Sequence, residues 1–191
     1  MNHTNVMIDL ETLGTKPGSI ILSIGAVAFA EGEPEESWTR FDSGPISIVS
    51  SRACDLTMDD DTLLWWLEQD LAAKSLLRKC LGREAAALDV VLCRFADWLT
   101  NTPGDTPVIW GNVANFDNVL LRSAWMAALP AFTLPWKYCN DQCYRTMKNV
   151  FSQVPRPPFV GVKHDALADA FHQTRHLQAI LKYIKESTHV G

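Results

Sequence analysis

Asp9 and Glu11 stand two residues apart in the run Met7-Ile8-Asp9-Leu10-Glu11-Thr12, an otherwise apolar segment that reads as a β-strand. Side chains alternate across a strand, so Val6, Ile8 and Leu10 would face one way while Met7, Asp9 and Glu11 face the other. The two carboxylates would then lie side by side. Unpaired carboxylates that close repel each other, and burying them uncompensated is costly, so a positive partner is expected between them. A divalent metal ion is the simplest candidate.

Three more residues could complete such a site: Asp117, Asp169 and His164. The elements that would position them follow from the pattern of the chain. A turn at 14–18 leads into a strand over 20–29, apolar on both faces and hence central in a sheet. An acidic connection at 31–36 precedes a third strand at 38–42, completing a β-meander. A polar stretch bearing Pro and Gly then runs to Asp59-Asp60-Asp61, whose carboxylates suit a helix start. The helix over 62–71 places Leu63, Leu64, Leu67 and Leu71 on one side, with Trp66 flanking them and Trp65 almost opposite. A second helix over 84–99 aligns Leu88, Val91, Leu92, Phe95 and Leu99.

After a turn at 102–105, residues 107–111 form a short strand and 116–128 a helix, with Asn112, Asn115 and Asp117 at the junction. A strand at 136–139 and a short helix at 143–150 follow. Pro155, Pro157 and Pro158 interrupt the chain before His164. The last helix, 165–185, carries Ala166, Ala170, Thr174, Leu177, Leu181 and Ile184 along one stripe that can pack across a sheet. This order predicts an α/β fold: a mixed central sheet, three antiparallel strands and then parallel ones, flanked by helices in one domain spanning 1–191. Such sheets gather strand-end and helix-start groups at one edge. Asp9, Glu11, Asp117 and Asp169 converging there would form a hard-oxygen site suited to Mg²⁺ or Mn²⁺.

Taken singly, each of these residues has a plainer role available. An Asp-x-Glu on a strand is more often solvated, Asp117 could cap its helix, and His164 and Asp169 could be surface residues. The ordered set carries more. Asp9-Leu10-Glu11-Thr12, Asn115-Phe116-Asp117, and His164 followed by Asp169 resemble the motifs of the DEDDh branch of 3′→5′ exonucleases in the ribonuclease H-like superfamily. The resemblance covers residues 6–180. More narrowly, Trp110-Gly111-Asn112, Phe116-Asp117-Asn118, Cys143-Tyr144-Arg145-Thr146 and 164–170 look like phage and prophage proteins of the exodeoxyribonuclease VIII-like or 3′→5′ exoribonuclease (RNase AS-like) kind.

The resemblance implies a two-metal phosphodiesterase that releases nucleoside 5′-monophosphates. Asp9 would bridge both ions, Glu11 and Asp169 would complete one, and Asp117 would hold the other. His164 would be the general base, because imidazole titrates near neutral pH. Thr12, Leu13 and Gly14 match positions that approach the terminal nucleoside.

Outside these motifs, Asp165 reads as a helix cap rather than a ligand. His172 and His176, spaced i, i+4, could bind zinc, but no carboxylate motif accompanies them and a solvated helix face is the simpler expectation. Trp65 and Trp66 could stack bases of a single strand, or pack under a loop or at a subunit interface. With Trp125 they make a homodimer plausible. Lys137, Arg145, Lys148, Arg156 and Lys163 could line the path of a phosphate backbone, Arg145 first among them together with Asn112 and Asn115 nearby.

Composition sets the outer bounds. The chain has 191 residues, 47% hydrophobic and 20% charged, with a net charge of -5, which argues against a general nucleic-acid coat but not against a local basic groove. No apolar run is long enough to span a membrane, the N-terminus does not read as a signal peptide, and five cysteines without a CxxC pair fit reduced thiols, so a cytoplasmic protein is expected. An Asn2-His3-Thr4 glycosylation acceptor is then a chance match. The expected partner is the 3′ end of single-stranded RNA or DNA. Two rivals stand beside an exonuclease: a catalytically idle nucleic-acid binding module of the same fold, and a phosphohydrolase acting on mononucleotides.

Overall fold

The computed structural model describes residues 4–102, 104 and 106–188, so Asn2-His3-Thr4 and the 102–105 turn lie partly outside the described residues. Five strands form one sheet in the order β3-β2-β1-β4-β5, with β1 at Asn5–Thr12, β2 at Ile21–Phe29, β3 at Thr39–Asp42, β4 at Val108–Gly111 and β5 at Asp141–Cys143. β1, β2 and β3 pair antiparallel, whereas β4 and β5 run parallel to β1. The expected mixed sheet is therefore present. β2 is buried at every residue, as its two-sided apolar sequence requires.

Alternation along β1 divides the interior. Val6, Ile8 and Leu10 enter a large core covered by α1 (Ile48–Ala53), α2 (Asp60–Glu68), α3 (Leu71–Leu81), α4 (Leu88–Asn101) and α5 (Asp117–Ala128). Met7 enters a second core with Val27, Trp110 and Tyr144, closed by α6 (Tyr144–Val150) and α7 (Ala166–Thr188). Asp9 and Glu11 continue the Met7 face beyond the apolar part of that second core. Among the described residues, no helix is long and apolar enough to cross a membrane.

Several elements differ from expectation. The leucine stripe assigned to 62–71 does not face the core: Leu64, Leu67 and Leu71 are 57%, 52% and 85% exposed, and Leu71 opens α3 instead. What anchors α2 is Trp66, 1% exposed, whose indole Nε1 donates to the Thr12 carbonyl at 2.8 Å. One buried Trp with a satisfied N–H outweighs a row of smaller side chains on so short a helix. α1 and α3 fall in stretches that read as connection. α3 is capped by Asp70, which accepts from the Ala73 amide at 3.0 Å, and buries Ala73, Leu77 and Cys80. α4 begins at Leu88 rather than 84, and the strand placed at 136–139 is a 3-10 turn at Tyr138–Asn140 followed by β5. His176 does not lie on a solvated face: it is 1% exposed, with Nδ1 against the Tyr144 hydroxyl at 2.8 Å and Nε2 against the Val154 carbonyl at 3.1 Å. Trp125 is buried as well, its indole donating to the Phe132 carbonyl at 3.1 Å, so the aromatic surface expected to support a homodimer reduces to Trp65.

Candidate active site

The carboxylates meet at the C-terminal ends of the parallel strands, where open α/β sheets present crevices. Asp9 pairs across the sheet with Gly25, and Ile8 with Gly111. Both glycines are needed for close approach. A Cβ on Gly25 would sit 2.1 Å from the Ala166 carbonyl carbon, so the bare backbone of β2 lets the first turn of α7 settle onto the sheet. A Cβ on Gly111 would sit 2.2 Å from Asn118 Oδ1 and would push α5 away. The first contact brings Asp169 to β1, and the second brings Asp117.

Asp9, Glu11 and Asp169 each offer a carboxylate oxygen within 4.8 Å of the others. Asp117 opens α5, where its carboxylate accepts from the Val113 amide at 3.0 Å, and it shares a cleft of about 600 Å³ with Asp9, Glu11 and Asp169. Asn112, Asn115, Phe116, Arg145, His164 and Gln173 complete the lining. Desolvation pushes every carboxyl of the cluster upward, and repulsion within the cluster adds to it at Asp9 and Glu11. Glu11 rises to about 8 through burial and then Asp169, Asp165 and Asp117; Asp117 rises to about 6 through burial, against backbone amides and Arg145 that favour its charge. Burial, then Asp117, Glu11 and Asp169, hold Asp9 well above the usual carboxylate range. Asp169 is raised by burial and held back by the neighbouring His164. A divalent cation among these oxygens would relieve the common cause, so the donor set fits a hard metal ion.

His164 sits at the cleft with φ +62, a left-handed conformation rare for a residue with a Cβ. Its ring packs edge-on against Trp65, centroids 5.0 Å apart. Asp165 caps α7, accepting from the Ala168 amide at 2.8 Å. The Trp65 ring is half-exposed and borders a hollow of about 370 Å³, with Trp66, Phe116, Thr12 and Thr62 around it; Glu11 lies on the boundary with the cleft. Leu13 and Gly14 do not reach either space. Leu13 is fully buried in the large core, and the Gly14 carbonyl accepts the Thr12 hydroxyl at 2.8 Å.

Gln173 had drawn no notice in the sequence. Its Nε2 donates to Asp9 Oδ1 at 2.7 Å, and its Oε1 is buried without a partner among the described residues. Position 173 is one helical turn beyond Asp169, and that spacing was the available signal.

No curated protein matches this sequence. Among solved structures, cell-death related nuclease 4 (CRN-4) superposes with a TM-score of 0.58 at 14% identity, covering 95% of this chain and 64% of its own, so this chain spans under two thirds of that protein. The nuclease domain of 3′hExo, a DEDDh family member solved bound to rAMP, gives 0.56 at 15% identity, covering 95% of this chain and 93% of its own. At these identities the likeness establishes the shared ribonuclease H-like fold. The family is shown by the sequence itself: residues 4–181 match the Rv2179c-like 3′-5′ exoribonuclease domain, and the chain belongs to that family.

Proposed function

We propose that the chain is a single exonuclease domain that removes nucleoside 5′-monophosphates from the 3′ end of single-stranded nucleic acid with the help of two divalent ions, Mg²⁺ or Mn²⁺. The observation that carries this reading is the convergence of Asp9, Glu11 and Asp169 within 4.8 Å, with Asp117 in the same cleft. Asp9, Glu11 and Asp169 would hold one ion, and Asp9 with Asp117 the other. When bound, the ions would acidify the attacking water and offset the charge that develops on the phosphoryl oxygens and the leaving oxygen.

The remaining roles belong to the protein's own groups. His164 takes the proton from the attacking water, its imidazole seated edge-on against Trp65 where it borders the cleft. Gln173 fixes the Asp9 carboxylate through its 2.7 Å hydrogen bond, which keeps one oxygen from rotating away. Trp65, Phe116 and Thr12 border the hollow of about 370 Å³, which takes the terminal base against the exposed part of Trp65. Trp66, buried beneath, supports Trp65 edge-on at 5.3 Å rather than stacking itself. Asn112, Asn115 and Arg145 are placed to meet the phosphate and sugar.

The family description puts RNA first among substrates, while the likeness of the 110–118 and 143–146 motifs to exodeoxyribonuclease VIII-like proteins keeps DNA as a substrate to test. Degradation of RNA and DNA strands of one sequence, at equal concentration with Mn²⁺, decides between them. A faster rate on RNA supports ribonuclease action, equal rates a sugar-tolerant enzyme. Release of inorganic phosphate from mononucleotides, with no shortening of strands, would overturn the exonuclease reading in favour of a phosphohydrolase. We place the protein in the cytoplasm, a reading that rests on its five free cysteines, which suit a reducing compartment.

A further inference from the structure

Trp65 and Trp66 line the hollow but not the catalytic cleft, and Arg145 lines the cleft but not the hollow; Glu11 and Phe116 border both. A strand whose 3′-terminal base occupies the hollow, with its reacting phosphate at the carboxylates, can leave through the cleft that Arg145 lines. Arg145 and Lys148, three residues apart on α6, share one face of that helix. Lys148 Nζ rides over the Tyr144 ring, 5.9 Å from its centroid.

Arg156 belongs to the same patch, although it lies in the proline-bearing segment after α6. The Tyr144 hydroxyl holds His176, whose Nε2 contacts the Val154 carbonyl, and this buried relay ties that segment back onto α6. The three charges are close enough that Arg156 and Arg145, after burial, depress the Lys148 ammonium. Among the described residues none of the three forms an ion pair, whereas Arg122 and Arg175 are matched to Asp141 and Glu35. A chain of net charge -5 thus gathers three mutually repelling cations beside an acidic cleft, where Arg145 also favours the charge of Asp117. Phosphodiesters are the anions that recur along a strand and that the cleft itself would handle.

We propose that Arg145, Lys148 and Arg156 form a phosphate track for the nucleotides on the 5′ side of the reacting bond, so that a single strand of several nucleotides is gripped there by its backbone. The inference rests on the exonuclease reading for its direction. The test is binding of a 5′-fluorescein ten-nucleotide strand to the full chain in Ca²⁺, over a range of salt, for the unaltered protein, for Lys148→Gln with Arg156→Gln, and for Lys79→Gln, which lies in a separate groove behind His164. Losing two phosphate contacts should weaken binding about tenfold at low salt and flatten the slope of log affinity against log salt by about 1.4. An unchanged affinity and slope in the double variant, or an equal loss from Lys79→Gln, overturns the track. Shortening of the same ten-nucleotide strand by the unaltered protein in Mn²⁺ is read alongside. If the strand stays intact while the salt slope still responds, the exonuclease reading falls and only the phosphate contacts stand, without their direction; shortening with no response of the slope overturns the track and leaves the exonuclease reading.

Discussion

At Glu11 the demands of folding and of chemistry oppose each other. Its carboxyl is raised from 4.5 to about 8, so between those values the folded protein holds a proton that the unfolded chain has released. Stability of the metal-free protein must then fall as pH rises through that window and level off above it, with Asp117 adding a smaller slope between its ordinary value of 3.8 and about 6. Urea denaturation in EDTA at pH 5, 7 and 9 should show a decline of a few kcal/mol. Glu11→Gln, which cannot ionise, should flatten much of that decline while abolishing turnover, and a pH-independent stability for the unaltered protein would contradict the buried cluster. His164→Ala should behave otherwise. Turnover should drop about 10² to 10⁴-fold with Mn²⁺ affinity retained, as measured by calorimetric titration. Gln173→Ala should weaken that affinity by about 10 to 100-fold, because it releases the Asp9 carboxylate without removing it.

Elements position these residues, and the tightest joint is the contact of α7 with β2. Gly25→Ala would drive a methyl into the Ala166 backbone at 2.1 Å, where no flexible side chain can yield. The first turn of α7 must move, carrying Asp169, so the variant should lose metal-dependent activity well beyond its loss of thermal stability; full activity would show that the joint has slack. Neither Gly25 nor Gln173 stands out in the sequence, because each matters only through a contact between distant elements, Gly25 against Ala166 and Gln173 against Asp9, the latter pair 164 residues apart. The carboxylates were legible for the opposite reason. Asp9 and Glu11 interrupt an apolar strand, Asp117 begins a helix directly after a strand, and Asp169 follows His164 at fixed spacing, all local signals. That β2 lies inside the sheet beside β1 was legible because β2 is apolar on both faces, whereas the full strand order was not. The helix α2 was legible but its buried face was not, because counting leucines at helical spacing ignores a single Trp that buries more surface and has a carbonyl to bind, and α3 was missed because only Ala73, Leu77 and Cys80 anchor it. His176 was placed in solvent since nothing local announces that Tyr144, 32 residues earlier, supplies its partner.

For the molecule as a whole, the four repelling carboxylates make the folded state a receptor for cations, so metal binding and stability are linked. At a Mn²⁺ concentration a hundred times its dissociation constant, the melting temperature should rise by roughly 5–10 °C, and the rise should vanish in Asp9→Ala. A rise of equal size in that variant would place the metal elsewhere. The most direct measurement of the central claim is the product ladder from a 5′-labelled single strand incubated with Mg²⁺ or Mn²⁺. Stepwise shortening from the 3′ end, with nucleoside 5′-monophosphates released, stopped by EDTA and absent in Asp9→Ala, is the predicted result. Cuts at internal positions, or shortening that persists in EDTA or in Asp9→Ala, would contradict it.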